Sequence, residues 1–189
     1  MMKKLIIAVL TLLSLAACNS SQHQHLDEDR HFETTFDIVQ EKNGEASLTF
    51  KVAIDSGYYF VSPHSEGFHQ RLRFSIEDTD SLLLNGELIE YPLTLEEYDN
   101  LSDKQGKFAW KNTTYIQNLI IGSQNDFEVS GLIWLEMLPN SQPYEVRFVV
   151  SNKSGKLTIE KTSTSTSGYP TFYDKKRVDI PLNKVKLFN

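Results

Sequence analysis

The sequence is short of the residue types that several common chemistries require. It holds a single cysteine, so it cannot close an internal disulfide, build a four-thiolate zinc site or run a CxxC redox pair. Positive charge is scarce: 19 Lys and Arg against 25 Asp and Glu give a net charge of −6. That deficit argues against a nucleic-acid partner, which needs a basic face to neutralise phosphates. Long apolar runs are absent except at residues 5–17. A helix of that length spans about 20 Å, too short for a hydrocarbon core of about 30 Å. The chain has no Gly-rich phosphate loop, HExxH pair, Gly-x-Ser-x-Gly elbow or fixed-period repeat, and no cofactor is expected. What is present is 189 residues with 40% hydrophobic and 11% aromatic content. That is enough for one domain with a real core and a tail.

The N-terminus carries an address. In residues 1–18 (MMKKLIIAVLTLLSLAAC), Lys3 and Lys4 precede the apolar stretch from Leu5 to Ala17, which is the layout of a secretory signal. Leu15-Ala16-Ala17-Cys18 resembles the bacterial lipobox. That resemblance implies removal of residues 1–17 and lipidation of Cys18 as the mature N-terminus. Losing Lys3 and Lys4 would leave 17 basic against 25 acidic residues, a net charge of −8. Such a body adheres poorly to anionic headgroups, so acyl chains would have to anchor it. Residues 18–30 are polar and aperiodic and read as a tether. The acidic stretch Asp27-Glu28-Asp29 within it resembles sorting signals of some surface lipoproteins, but it starts nine residues past the cysteine and a solvated linker explains it better.

From His31 the hydrophobic pattern has a period of two, which argues for strands. Phe32, Thr34, Phe36 and Ile38 alternate with polar residues, and Lys42-Asn43-Gly44-Glu45 supplies a hairpin turn. Residues 47–54 (SLTFKVAI), 71–76 (RLRFSI), 115–121, 127–138, 144–151 (YEVRFVVS) and 156–161 (KLTIEK) continue the series. Residues 82–91 read as strand around an Asn85-Gly86 turn. Eight or nine short strands favour an all-β fold, an antiparallel β-sandwich or barrel, over residues 31–161. Residues 94–101 (TLEEYDNL) carry the best helix signal, one or two turns. Residues 162–167 (TSTSTS) read as a linker or exposed loop, and residues 168–189 as a C-terminal segment docking on the body, possible through the alternation at Lys184 to Phe188.

Residues 54–62 (IDSGYYFVS) resemble the turn after an early strand in the N-terminal periplasmic domain of DsbD-type thiol:disulfide interchange proteins. Gly57 permits a tight bend there, and the aromatics that follow fill the end of the body. Asn85-Gly86, Gly106-Lys107-Phe108 with Tyr115, residues 129–135 (VSGLIWL) and residues 143–148 (PYEVRF) are similar to later parts of that family, so the likeness runs from Phe32 to Asn152. It implies an immunoglobulin-like antiparallel β-sandwich with an active-site hairpin at residues 136–143 (EMLPNSQP). The family exchanges electrons there through two cysteines. This chain has none at those positions; Met137 is a thioether and cannot exchange. The scaffold would be kept and the redox chemistry lost.

Other chemistry has weaker footing. His23 and His25 could touch a metal as a flexible pair, and His64, Glu66 and His69 share one polar loop. Neither set has the spacing that forces ligands together, and no metal is expected. Glu96-Glu97 and Asp78 with Asp80 are paired carboxylates better explained as solvated turns than as a glycosidase pair. Aromatics are the better lead. Tyr58, Tyr59, Phe60, Phe68, Trp110 and Tyr115 flank two loops, and two or three of them are expected to line a groove near residues 137–143. The expected binding groove comprises Tyr58, Tyr59, Phe60, Met137, Leu138 and Pro143. The expected function is a non-catalytic binding module, tethered by lipid in the bacterial cell envelope and engaging an envelope protein partner. The alternatives are an accessory of a thiol:disulfide interchange system, an envelope hydrolase, or a structural lipoprotein.

Overall fold

The computed structural model describes residues 30–76, 80–100 and 103–168. The lipobox, Cys18, His23, His25, Asp78 and the segment beyond residue 168 therefore lie outside the described residues. The described chain is all-β. Its strands are β1 (Phe32–Gln40), β2 (Glu45–Ile54), β3 (Phe60–Val61), β4 (Arg73–Ile76), β5 (Leu82–Tyr91), β6 (Glu96–Asp99), β7 (Lys104–Ala109), β8 (Thr113–Ile121), β9 (Phe127–Met137), β10 (Gln142–Lys153) and β11 (Lys156–Thr166). They form antiparallel sheets in the orders β1-β2-β8-β5, β11-β10-β9-β4 and β3-β7-β6.

The alternation seen in the sequence explains the core. Period two sends Leu48, Phe50 and Val52 of β2 and Tyr115, Leu119 and Ile121 of β8 to one face of the first sheet. Ile133 and Leu135 of β9 and Val146, Phe148 and Val150 of β10 do the same in the second, and all join a single buried cluster. Rings interlock across it: Phe36 lies 5.1 Å from Phe148, Phe50 stacks on Phe74 at 5.6 Å, and Phe32 meets Tyr144 edge-on at 5.0 Å. Gly131 of β9 makes room for this arrangement, because a Cβ there would lie 2.0 Å from Cζ of Phe148. At one lateral edge, Lys161 of β11 donates through Nζ to the Thr34 carbonyl of β1 at 3.3 Å.

The turn at Lys42-Asn43-Gly44-Glu45 is present. Asn43 and Gly44 have φ of 67° and 78°, a left-handed conformation suited to Asn and Gly, and β1 pairs with β2 from Phe32↔Ile54 to Gln40↔Ala46. Three local expectations are corrected. Residues 94–100 hold no helix; Glu96–Asp99 is strand β6, with Glu96↔Lys107 and Asp99↔Lys104 paired across β7. Tertiary pairing with β7 overrides the local preference of the glutamates. Residues 162–166 are not a linker but the last half of β11, whose pairing with β10 reaches Tyr144↔Thr166. Its side chains are all Ser and Thr, with Thr164 half-buried, so no apolar pattern announces the strand, yet Thr suits extended backbone. Asn85-Gly86 does not separate two strands. It sits in an irregularity within β5, whose pairing with β8 lapses after Asn85↔Asn118 and resumes at Ile89↔Ile116.

The third sheet covers one end of this body. Tyr59, Val61, Phe68 and Phe108 form a separate small apolar cluster with Leu138 packed on it. Gly106 is needed here, since a Cβ would lie 2.5 Å from the Phe68 ring.

Candidate functional site

The end of β5 and the loop that follows invert the usual alternation. Ile89, Tyr91, Leu93 and Leu95 point to solvent while Glu90 and Thr94 point inward. Tyr91, Leu93 and Leu95 are 72%, 76% and 75% exposed, whereas Glu90 is 3% exposed. Isolated exposed apolar residues are ordinary. Four of them within seven consecutive positions is not, because burying each would contribute about 1.5–3 kcal/mol. Further apolar side chains lie on the first sheet, where Leu83 pairs with the exposed Ile120 and Ile89 with Ile116, the two pairs being separated by Asn85 and Asn118. Clustered exposed apolar side chains of this kind mark interaction sites.

Glu90 holds the strip in place. Its Oε1 accepts from the Tyr115 hydroxyl at 2.7 Å. Its Oε2 accepts from the Ser62 hydroxyl at 3.0 Å, the Thr94 hydroxyl at 2.7 Å and the Thr94 amide at 3.5 Å. One carboxyl group thus ties β5 to β8, to the residue after β3 and to the loop carrying Leu93 and Leu95. Each donor is a hydroxyl or an amide, so the group is satisfied by hydrogen bonds rather than by a cation. Ser62 also accepts from the His64 amide at 3.2 Å, which ties the following loop to the same cluster.

Burial, and then the facing Glu90 carboxylate, hold the Tyr115 phenol well above its ordinary value of 10.0. The folded state therefore resists ionising Tyr115, while the unfolded chain ionises it near 10. This contribution to stability is complete below about pH 10 and is lost as pH rises toward the folded value. Tyr115→Phe is expected to flatten the alkaline loss of stability between about pH 9 and about pH 11, measured by urea unfolding. Tyr59, also raised by burial and then by Asp99, supplies a remaining slope. An unchanged slope in the variant would refute the assignment to Tyr115.

The residues expected to form a groove are brought together, but mostly as interior. Tyr59 and Leu138 exchange backbone hydrogen bonds, Tyr59 N to Leu138 O at 3.1 Å and Leu138 N to Tyr59 O at 2.8 Å. Phe60 and Met137 belong to the main core and Tyr59 to the smaller cluster. These three side chains fill space between sheets and cannot line an open groove, which corrects the expectation. Tyr58, Leu138 and Pro143 are half-buried. Tyr58 stacks on His31 at 3.6 Å. Of the other aromatics, Tyr115 and Phe68 are buried, and Trp110 is exposed, stacked on Tyr59 at 3.9 Å and donating through Nε1 to Glu97 at 3.0 Å.

His64, Glu66 and His69 lie between β3 and β4, and among the described residues no three His, Cys, Asp or Glu side chains converge to hold a metal ion. Glu96 and Glu97 are neighbours on β6, so their side chains leave opposite faces of that strand. Among the described residues no helix is long and apolar enough to cross a membrane. The sequence reading missed Glu90 and the strip. Its available signal was the run ELIEYPLTLEE, where apolar residues alternate with a glutamate and a threonine that could equally have been the outer face. The chain matches no protein-family model and no curated protein.

Proposed function

We propose that this chain is a cell-envelope lipoprotein, tethered through lipid on Cys18, whose immunoglobulin-like β-sandwich acts as a non-catalytic binding module for an envelope protein. The observation that carries the binding reading is the preorganised apolar strip at Ile89, Tyr91, Leu93 and Leu95, secured from beneath by Glu90. A rigid support keeps the apolar side chains displayed and lowers the ordering cost of binding. The sandwich reading is supported by two four-stranded antiparallel sheets that contribute to one core. The likeness to the DsbD N-terminal domain would make this a relative that kept the scaffold and dispensed with thiol exchange.

A photo-crosslinking residue at Leu93 is expected to capture a specific envelope protein in intact cells. The same residue at Val39, exposed on β1, is expected not to. Equal capture from both positions, or none from Leu93, would refute the strip as a docking surface. The tether has its own test: Cys18→Ser should release the protein from the membrane fraction. Unchanged retention would show that lipid on Cys18 is not the anchor.

A further inference from the structure

We infer that the occupant of the strip is an extended segment of a partner protein, with alternating apolar and basic side chains, that adds to the free edge of β5. The inference rests on the binding-module reading above and names the chemistry of its partner. Three observations converge on it.

First, β5 is the terminal strand of its sheet, with β8 on one side and no strand on the other among the described residues. Such an edge presents unused backbone donors and acceptors to an added strand. Second, the exposed apolar residues recur every second position from Ile89 to Leu95. Ile89 and Tyr91 lie on β5, where alternate side chains are about 6.6 Å apart as in an extended partner, and Leu93 and Leu95 are exposed in the loop that follows it. Third, the surroundings are acidic. From residue 80 to residue 103 the sequence has Asp80, Glu87, Glu90, Glu96, Glu97, Asp99 and Asp103 with no Lys or Arg. Lys107 and Lys104 on β7 stand opposite Glu96 and Asp99, and Glu97 accepts from Trp110, so the β6 carboxylates are partly matched. Lys51 of β2 lies in register with Tyr91 across β8, so the excess of carboxylates around β5 and its loop is reduced but not removed. A second copy of the chain would set acidic strip against acidic strip, and an anionic lipid surface would be repelled in the same way. A basic partner strand gains on both terms, with apolar contact giving affinity and charge giving choice of partner.

The test titrates the full chain into three fluorescein-labelled octapeptides and follows anisotropy. The first alternates lysine with valine, the second alternates glutamate with valine, and the third is the lysine peptide N-methylated at every amide, so that neither edge can pair. The lysine peptide is expected to bind at least about 10-fold more tightly than either of the others, because strand addition needs both opposite charge and free amides. Leu93→Ser combined with Leu95→Ser should weaken its binding by a similar factor. Equal binding of the lysine and glutamate peptides would overturn the inference, as would full binding after N-methylation or indifference to the double substitution. Strip-dependent binding to phosphatidylglycerol vesicles in place of the peptide would overturn it in favour of lipid. A dimer abolished by the same substitutions would overturn it in favour of self-association. If Leu93 crosslinks an envelope protein in cells while the peptides show no preference, the basic-strand inference fails and the docking surface stands.

Discussion

Glu90→Ala is expected to destabilise the fold by about 3 kcal/mol, read as a lowered urea midpoint with an unchanged slope. The substitution leaves the hydroxyls of Tyr115, Ser62 and Thr94 without their shared acceptor. A buried polar group left unsatisfied costs about 1–3 kcal/mol. Removing a desolvated carboxyl group returns part of that sum, and this keeps the expectation near the lower total. Glu90→Gln should cost less, about 1 kcal/mol, because the Ser62 and Thr94 hydroxyls can turn to accept from the new amide. The functional consequence is separable from the stability loss. In Glu90→Gln the chain stays folded, but Thr94 loses an ideal acceptor and the loop bearing Leu93 and Leu95 loosens, so capture from Leu93 should fall. A change of less than about 0.5 kcal/mol in Glu90→Ala, the range of ordinary surface substitutions, would mean that the cluster does not secure the strip.

Gly131→Ala is the second large effect, also about 3 kcal/mol, from overpacking. The added methyl would sit 2.0 Å from Cζ and 2.3 Å from Cε2 of Phe148, a buried ring enclosed by Phe36 and Phe74. The register pairs Gly131 directly with Phe148 across β9 and β10, so neither strand can shift to relieve the clash without disturbing the whole ladder. Shortening the partner should relieve it. In a double-mutant cycle, Gly131→Ala with Phe148→Leu is expected to be less destabilised than the sum of the two single changes by at least about 1 kcal/mol. Additive single effects would show that the methyl is accommodated elsewhere and that Gly131 is not kept clear for the ring.

The strands of the core were legible because their apolar residues alternate and their turns carry Asn and Gly, as in SLTFKVAI and Lys42-Asn43-Gly44-Glu45. Alternation fails as a signal where neither face of a strand carries apolar residues. Residues 162–166 of β11 therefore looked like a linker, and Glu96–Asp99 of β6 looked helical, because only pairing with β10 and β7 makes them strands. The candidate site was hidden for a sharper reason. Period-two patterning locates two faces but does not say which is inside, and the default assigns the apolar face to the core. At residues 89–95 that default is reversed, and the deciding partners, Ser62 and Tyr115, are 28 and 25 residues from Glu90 in sequence. The aromatic cluster at Tyr58, Tyr59 and Phe60 shows the converse. Tyr59 bridges to Leu138, but the side chains of Tyr59 and Phe60 serve the interior.

The central claim is that the apolar residues from Ile89 to Leu95 are there to be covered by another protein. The most direct test is the yield of in-cell crosslinking from position 91 in a chain carrying Leu93→Ser and Leu95→Ser, compared with the unaltered chain. Both leucines are exposed, so the substitutions should leave stability within about 0.5 kcal/mol while capture from position 91 falls at least about 10-fold, as expected for losing two apolar anchors. Undiminished capture in the doubly substituted chain would contradict the account.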